Sequence, residues 1–400
     1  MQERGTTTNL DTPRWWWPAF ALVALVVATP LVVSGPGNDL DVGNVFRSGR
    51  AIARHLTYLP SRPPGAPVHE GIVGVLDLAG GPLLTNLASL GAAAGLIWVL
   101  NRLLQEEGLG RAGRWGVALI VANPWFIIAA TSTADYVFAL LFCVGAALAI
   151  RRHRAVLAGV LAAGAMGTRV GSATLLVAIV AAELGTGEGA RRRVAIMAAV
   201  GAALTVVLFV PSALYAGGLS FAQNDFSASS VGVQLGRAAA KDLLLLGIPT
   251  VIVAVIALPA VVAAVRTWST AWLVRFAVVG LVLSQVLFIR FPWKMAHLLP
   301  TLLCLAVLYA VALKERPRML AAMVALQLVF AVVRVDVLAP NRANEATGGA
   351  FRPAVTWGPV VTDWQCRRDD PDAYLGRQIE EIEAVWGCAA PYRDGTQRDR

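Results

Sequence analysis

Long apolar runs recur along most of this chain, and they limit what it can fold into. They extend from Trp15 to Asp336, and each is close to the ~20 residues that a helix needs to cross ~30 Å of hydrocarbon. Hydrophobic residues make up 57% of the sequence, charged residues make up 15%, and the mean hydropathy is +0.63, as in integral membrane proteins. A membrane β-strand would instead need only ~10 residues of alternating polarity. The sequence therefore predicts an all-α polytopic membrane protein with about eleven transmembrane helices.

Lysine and arginine fall in short clusters between the apolar runs, and these clusters predict the topology. They lie at residues 102–114, 151–154, 191–193, 266–275 and 314–318. The positive-inside rule places such loops in the cytoplasm. The predicted parts are a cytoplasmic N-terminal tail at 1–14, a transmembrane domain at 15–338 and a small extracytoplasmic C-terminal tail at 339–400. The net charge of +9 is spread over these loops, so we expect a lipid bilayer in the cell membrane as partner and no nucleic acid.

The first extracytoplasmic loop, predicted at residues 35–79, is unusually polar for its place beside a membrane; a second such loop is predicted at 217–242. The first loop opens with Asp39 and Asp41 and closes with a proline-rich turn that ends at Glu70. Paired carboxylates suit a metal ion or a sugar hydroxyl, and arginine forks suit a phosphate. Four arginines share the loop: Arg47, Arg50, Arg54 and Arg62. They run against the positive-inside bias, which indicates either ligand binding or a different topology.

Further polar residues are predicted to reach the same face from separate helix ends. They are Asp135 in a helix hairpin, Arg169 in the turn between two short apolar arms, and Lys294 and His297 at the start of a late helix. Other interpretations are open for each. Asp135 could cap the next helix, the basic residues could extend to the membrane surface, Asp39 and Asp41 could be solvated, and Glu70 could be a cap. The convergence of all these residues on one face favours a catalytic site.

The four cysteines are too few for a disulfide scaffold. Cys143 and Cys304 lie inside apolar runs and are expected to be small buried hydrophobic residues. Cys366 and Cys388 lie in the C-terminal tail. If that tail is extracytoplasmic, they could form a disulfide closing a loop of ~20 residues and contributing roughly 3 kcal/mol; two free thiols are the alternative.

Four motifs occur in an order that resembles the GT-C superfamily of integral-membrane glycosyltransferases. They are Asp39-Leu40-Asp41; Asn123-Pro124-Trp125 with Ser132-Thr133-Ala134-Asp135; Gly164-Ala165-Met166-Gly167-Thr168-Arg169; and Trp293-Lys294-Met295-Ala296-His297-Leu298-Leu299-Pro300. Together they cover the chain from about residue 15 to 312. Within the superfamily, they look like the protein mannosyltransferase and aminoarabinose transferase branch.

The resemblance implies transfer of a mannose- or pentose-type sugar from a polyprenyl-phosphate carrier to a cell-envelope glycan, lipid or protein, with inversion by single displacement. Asp39 or Asp41 would be the base, with Glu70 and Asp135 as further candidates. The donor phosphate would be bound by Arg62, Arg169 and Lys294, with His297 in support. A divalent metal is possible as a cofactor but is not required by the sequence.

The main rival hypothesis is a polytopic transporter or a flippase for lipid-linked sugars. Transporters tend to carry internal repeats and ionisable residues at mid-membrane depth. Here the middles of the apolar runs are mainly Ala, Val, Leu and Gly, and nearly all charges fall at the run ends. This placement of the charges favours an enzyme.

Overall fold

The structure is a computed structural model, and it describes residues 16–39, 41–216, 231–338 and 352–369. In these residues the chain forms sixteen α-helices and two β-strands. In chain order they are α1 (Trp16–Val33), α2 (Asp41–His55), α3 (Pro67–Glu106), α4 (Gly110–Val121), α5 (Pro124–Ala130), α6 (Tyr136–Arg151), α7 (Ala155–Thr168), α8 (Ala173–Leu184), α9 (Ala190–Ala216), α10 (Val231–Leu246), α11 (Ile248–Ile256), α12 (Leu258–Val265), α13 (Trp272–Arg290), α14 (Leu299–Ala312), α15 (Pro317–Val332), β1 (Val333–Leu338), β2 (Arg352–Trp357) and α16 (Pro359–Asp369).

Four helical stretches of the described chain are long and apolar enough to cross a membrane. These are α3, α9, α13 and the stretch Met295–Ala312, in which a short 3₁₀ turn leads into α14. The pairs α4–α5 and α10–α11 qualify only when each is taken as one span, and they bend by 71° and 88°. The prediction of a helical membrane protein is confirmed at this level. The count of about eleven crossings stays a prediction, because α6, α7, α15 and other apolar helices are shorter than a full span.

Most of the predicted first loop is helical, because α2 and the first half of α3 occupy it. α3 is broken at Gly80 and Gly81, where Gly81 has a φ of +61° that disfavours other residue types, and Pro82 follows directly. The polar loop predicted at 35–79 would place the next helix start at about this proline. Glycine and proline therefore marked a break inside a longer helix and not its beginning.

α2 packs closely on α3 at a crossing of two glycines. A Cβ on Gly74 would lie 2.2 Å from the backbone oxygen of Gly49, and a Cβ on Gly49 would lie 2.7 Å from the Gly74 nitrogen. Small residues allow such close approach of helix backbones. The buried face of α2, with Val45 and Phe46, then lies against Val73 of α3. This contact fixes the position of the helix that begins at Asp41.

The bend between α10 and α11 is stabilised by side chains from distant helices. Gly247 takes a φ of +70° there. The last three carbonyls of α10 lack partners within their own helix, and each accepts a hydrogen bond from another element. Trp125 Nε1 donates to Leu244 (2.9 Å), Asn123 Nδ2 donates to Leu245 (2.7 Å), and Gln327 Nε2 donates to Leu246. The apolar run at residues 243–265 predicts one continuous helix, whereas the chain bends at Gly247.

The chain after α15 returns to the helical body. β1 pairs with β2 in an antiparallel ribbon, with Val335 opposite Val355, and α16 then packs against α1, α5 and α15. The Val-Arg-Val-Asp-Val alternation of β1 is typical of a strand. The all-α prediction is therefore corrected by one small ribbon. The sequence also indicates a possible short helix at 372–385, and this segment lies outside the described residues.

The two ends of the helical body carry different charged groups. At one end, Asp135 immediately precedes α6. At the other end, Arg151 and Arg152 at the C-terminus of α6 pair with Glu107 and Glu106 at the C-terminus of α3. A 16-residue helix such as α6 is about 24 Å long, so these two groups are well separated.

Candidate active site

Asp39 and Asp41 lie together at the start of α2. Asp39 Oδ1 accepts a hydrogen bond from the Asp41 backbone N–H at 2.9 Å, which is how an aspartate satisfies a free N–H at a helix start. The two carboxylates are partly exposed, at 17% for Asp39 and 28% for Asp41. Leu40 between them lies outside the described residues. The start of α2 therefore fixes the positions of the two aspartates relative to each other.

Lys294 joins the two carboxylates. Its Nζ lies 2.6 Å from Asp39 Oδ1 and 2.8 Å from Asp41 Oδ2. The turn that carries it, between α13 and the 3₁₀ turn Met295–Leu298, is stabilised by Lys241 of α10. The Lys241 ammonium donates to the carbonyls of Pro292 and Trp293, both at 2.7 Å. Lys294 thus has a fixed position beside the acidic pair.

Arg62 connects this pair to Asp135. Its Nη1 lies 2.7 Å from Asp41 Oδ2, and its Nη2 donates to Asp135 Oδ2. The turn that carries Arg62 is stabilised by Glu70, which is fully buried. Glu70 accepts hydrogen bonds from Tyr58 Oη (2.6 Å) and from the Ser61 N–H (2.8 Å). The structure therefore places Glu70 in the support of the turn, and its role as a base stays a prediction.

Asp135 is more buried than Asp39 and Asp41, with 3% of its side chain exposed. Besides Arg62, it accepts from Arg169 Nη1 at 2.9 and 3.1 Å. Arg169 reaches it from the end of α7, where the backbone is extended. The interpretation of Asp135 as a helix cap is wrong, because its side chain makes no capping bond to α6. Arg169, which was open to interpretation as a residue extending to the membrane surface, is paired with this buried acid instead.

Three carboxylates and three cations therefore form one connected cluster, which we call the acid–base cluster: Asp39, Asp41, Asp135, Arg62, Arg169 and Lys294. Its formal charges balance. The three basic side chains remain between 20% and 25% exposed, so an anion could reach them. The neighbouring cavity, lined by Asp39, Asp41, Arg62, Asp135 and others, has a volume of about 10 Å³, close to that of one water molecule.

The cations lower the pKa values of Asp41 and Asp135. Burial alone would raise the pKa of Asp41, but Lys294 and Arg62 outweigh it and hold that pKa well below its usual range. Burial also acts against ionisation of Asp135, and Arg169 and Arg62 still lower its pKa from 3.8 to about 2. For Lys294, burial would lower the pKa, but Asp39 and Asp41 raise it. All three groups are therefore charged at neutral pH.

Tyr136 lies at the centre of the cluster, and the sequence analysis missed it. Its ring lies 4.1 Å from the Arg169 guanidinium carbon, and its hydroxyl donates to Asp39 Oδ2 at 3.5 Å. His297 lies beside the same ring, with centroids 6.1 Å apart, and its Nδ1 is 3.2 Å from the Phe291 carbonyl oxygen. The only signal for Tyr136 in the sequence is its position directly after Asp135. His297 is therefore near the cluster without a described ion pair to it.

The remaining predictions for the site concern a metal and a disulfide. Among the described residues, no three His, Cys, Asp or Glu side chains are grouped as a metal site; basic side chains occupy the space between the carboxylates. Cys143 and Cys304 are buried, as expected. Cys366 is buried in α16, and Cys388 lies outside the described residues, so their disulfide stays a prediction.

The fold is similar to two crystal structures of ArnT from Cupriavidus metallidurans. The structure bound to undecaprenyl phosphate aligns over 95% of this chain and 72% of the ArnT chain, with 18% identity and a TM-score of 0.60. The chain therefore has an ArnT-like fold. The apo structure aligns over 77% of this chain and 61% of ArnT, with 18% identity and a TM-score of 0.56.

The fold expected from the four motifs is thereby confirmed as ArnT-like. No family model and no curated protein sequence matches this chain. At 18% identity the likeness concerns the fold. The chain spans 61% of the length of apo ArnT.

Proposed function

We propose that this protein is a membrane glycosyltransferase that moves a sugar from a polyprenyl-phosphate carrier to a cell-envelope acceptor on the extracytoplasmic face. The acid–base cluster, placed at one end of a GT-C helical body, is the observation that carries the proposal. It combines carboxylates that can accept a proton with basic groups that can bind a phosphate. ArnT, which has a similar fold, has been crystallised with undecaprenyl phosphate. The transferred sugar in the proposal is mannose- or pentose-type.

Donor binding would proceed by exchange of partners within the cluster. Each basic side chain already bonds a carboxylate, so a phosphate has to compete with Asp41 for Arg62 and Lys294. An arginine carries five N–H donors, and Arg62 uses Nη1 and Nη2 for its two acids. When the phosphate takes over Arg62 and Lys294, Asp41 loses neighbouring positive charge and its pKa rises towards its usual range.

Asp39 is the better placed of the two acids to act as base. Asp41 contacts both Arg62 and Lys294 through Oδ2. Asp39 uses Oδ1 for Lys294 and for the Asp41 N–H, and its Oδ2 has the long 3.5 Å contact with Tyr136. That oxygen is thus open to an acceptor hydroxyl. In the reaction, the proton of the acceptor hydroxyl passes to Asp39, and the oxygen of that hydroxyl forms a bond to the anomeric carbon of the sugar. The bond between the anomeric carbon and the phosphate oxygen breaks, and the phosphate keeps the electron pair. The configuration at the anomeric carbon is inverted.

The experiment is transfer of radiolabel from polyprenyl-phosphate mannose or arabinose by the purified full-length protein. Cell-envelope lipid, polysaccharide and protein serve as acceptors. Label should enter one of them, and Arg169→Ala should abolish transfer. Arg154→Ala is the matched control, because Arg154 is an exposed arginine at the other end of α7, and it should behave as wild type. Absence of transfer, with translocation of the labelled lipid across liposome leaflets, would overturn the proposal and favour the flippase.

A further inference from the structure

A buried arginine of the C-terminal helix lies beneath both acidic segments of the site. Arg367 of α16 is 1% exposed. Its Nη1 donates to the carbonyl oxygens of Leu31 at 3.0 Å and Thr131 at 2.6 Å, and its Nη2 donates to that of Ile128 at 3.3 Å. Leu31 and Ile128 lie in the last turns of α1 and α5, and Thr131 directly follows α5, where backbone donors are scarce. Locally, the Leu31 and Ile128 carbonyls accept from the Ser34 and Thr131 N–H groups at 3.4 and 3.3 Å. A cation is favourable at a helix C-terminus, and here one guanidinium serves two such ends.

Asp363, one turn earlier in α16, extends this contact to the acidic pair. Its Oδ2 lies 2.8 Å from Arg367 Nη2, and both side chains are 1% exposed. Its Oδ1 accepts from Asn38 Nδ2 at 2.9 Å, and its backbone oxygen accepts from the same nitrogen at 3.1 Å. Asn38 directly precedes Asp39. Arg367 is thus connected to the proposed base by two polar contacts, Arg367–Asp363 and Asp363–Asn38, and by the peptide bond from Asn38 to Asp39.

The two segments that receive these bonds lead straight to the acids. From Leu31 the chain runs through residues 34–38 to Asp39, and from Thr131 it runs through 132–134 to Asp135. The segments also bond each other, because the Thr133 N–H donates to the Pro36 carbonyl at 2.8 Å. Loss of the guanidinium would leave three carbonyls and a buried carboxylate without this partner, which is costly inside a protein.

We infer that Asp363 and Arg367 form a positioning clamp that holds the Asp39 and Asp135 segments in register for the proposed transfer. The inference rests on the proposed function only for its catalytic consequence. It assigns to the part of the chain after α15 a role in building the site, although that part was expected to be a separate tail. The planar fork of Arg367 is required, because an ammonium cannot serve three carbonyls and a carboxylate at these positions.

The test compares Arg367→Lys and Asn38→Ala with the matched control Arg368→Ala in the full-length protein. Arg368 is the next residue of α16 and is exposed, with its guanidinium over the Trp364 ring. Arg367→Lys should lower kcat on the order of 10- to 100-fold and leave the donor KM unchanged, because only the geometry of the acids is altered. Asn38→Ala should lower kcat in the same way. Arg368→Ala should leave both constants at their wild-type values.

Amide hydrogen exchange provides a measurement that does not depend on activity. Arg367→Lys should raise exchange about tenfold in both residues 34–39 and 131–135, whereas Asn38→Ala should raise it only in 34–39. An increase confined to residues 359–369 would overturn the clamp, as would wild-type kcat in folded Arg367→Lys and Asn38→Ala proteins. If the wild type transfers no sugar, the proposed function fails, and the exchange pattern alone decides the clamp.

Discussion

At the scale of single residues, the main feature of the site is that two neighbouring acids have different surroundings. Asp41 bonds two cations through Oδ2, whereas Asp39 bonds one cation through Oδ1. Asp39 Oδ2 has only the long 3.5 Å contact with the Tyr136 hydroxyl among the contacts described. An ion pair with Asp41 has to be broken before Arg62 or Lys294 can bind a phosphate fully. The same acid therefore opposes donor binding, and the proposed base is its neighbour.

This difference predicts opposite effects of two similar substitutions. Asp39→Asn should lower turnover by ~10² to 10⁴ with nearly unchanged donor binding, because it removes the proton acceptor. Asp41→Asn should tighten binding of undecaprenyl phosphate about tenfold, since the competing anion is gone. Binding is measured by titration of the purified proteins with the lipid, and turnover by radiolabel transfer. Weaker lipid binding by Asp41→Asn would contradict the competition between carboxylate and phosphate.

Asp135 predicts a specific dependence of stability on pH. Its pKa in the folded protein, about 2, is below the usual 3.8. The stabilisation from its ionised form is therefore complete above about pH 5 and is lost as the pH falls towards 2. The unfolding temperature of the wild type should fall more steeply between pH 5 and 3 than that of Asp135→Asn. Parallel curves for the two proteins would show that Asp135 has no depressed pKa.

Much of the site was predictable because charged residues stand out at the ends of apolar helices. All six members of the acid–base cluster were identified in this way. Tyr136 was missed, since an aromatic residue at the start of an apolar helix resembles any core residue. Asn38 and Asp363 were missed for another reason. They are 325 residues apart in sequence, and neither has a local pattern that indicates its partner.

At the scale of elements, α2 is positioned by its contact with α3. The apolar run around Gly247 was predicted from the sequence but its bend was not, because the groups that stabilise this bend come from elsewhere in the chain. The bend at Gly247 depends on Asn123 and Gln327, and the sequence around Gly247 contains neither. For α2, by contrast, both glycines of the crossing are local to the loop that carries the acids.

Gly74→Ala should therefore damage the site by moving α2. The added methyl would lie 2.2 Å from the Gly49 oxygen, so the helices must separate, and we expect a lower unfolding temperature and loss of transfer. Gly71→Ala is the matched control, because a Cβ on Gly71 meets nothing within 4 Å and alanine favours a helix. Differential scanning fluorimetry and the transfer assay measure the two effects. Equal unfolding temperatures for both variants would show that the crossing tolerates separation.

At the scale of the whole molecule, the acid–base cluster and the Glu106–Arg152 pair occupy opposite ends of the helical body. We expect the cluster end to face outward. Arg54 is an exposed residue of α2. In a cysteine-free background, Arg54→Cys should react with a membrane-impermeant thiol reagent in intact cells. Lys314→Cys, also exposed, should react only after permeabilisation. The reverse pattern would show that the topology predicted from the positive charges is inverted.

The hydrogen bond between Asn38 and Asp363 has a consequence for biosynthesis. Asn38 leaves the ribosome 325 residues before its partner, and at 5–20 residues per second this interval is roughly 15 to 65 s. The helices of the body can be inserted during that time, but the segment before Asp39 lacks its final contact until α16 has been made. A chain whose translation stops before α16 would thus contain every member of the acid–base cluster and still lack the assembled site.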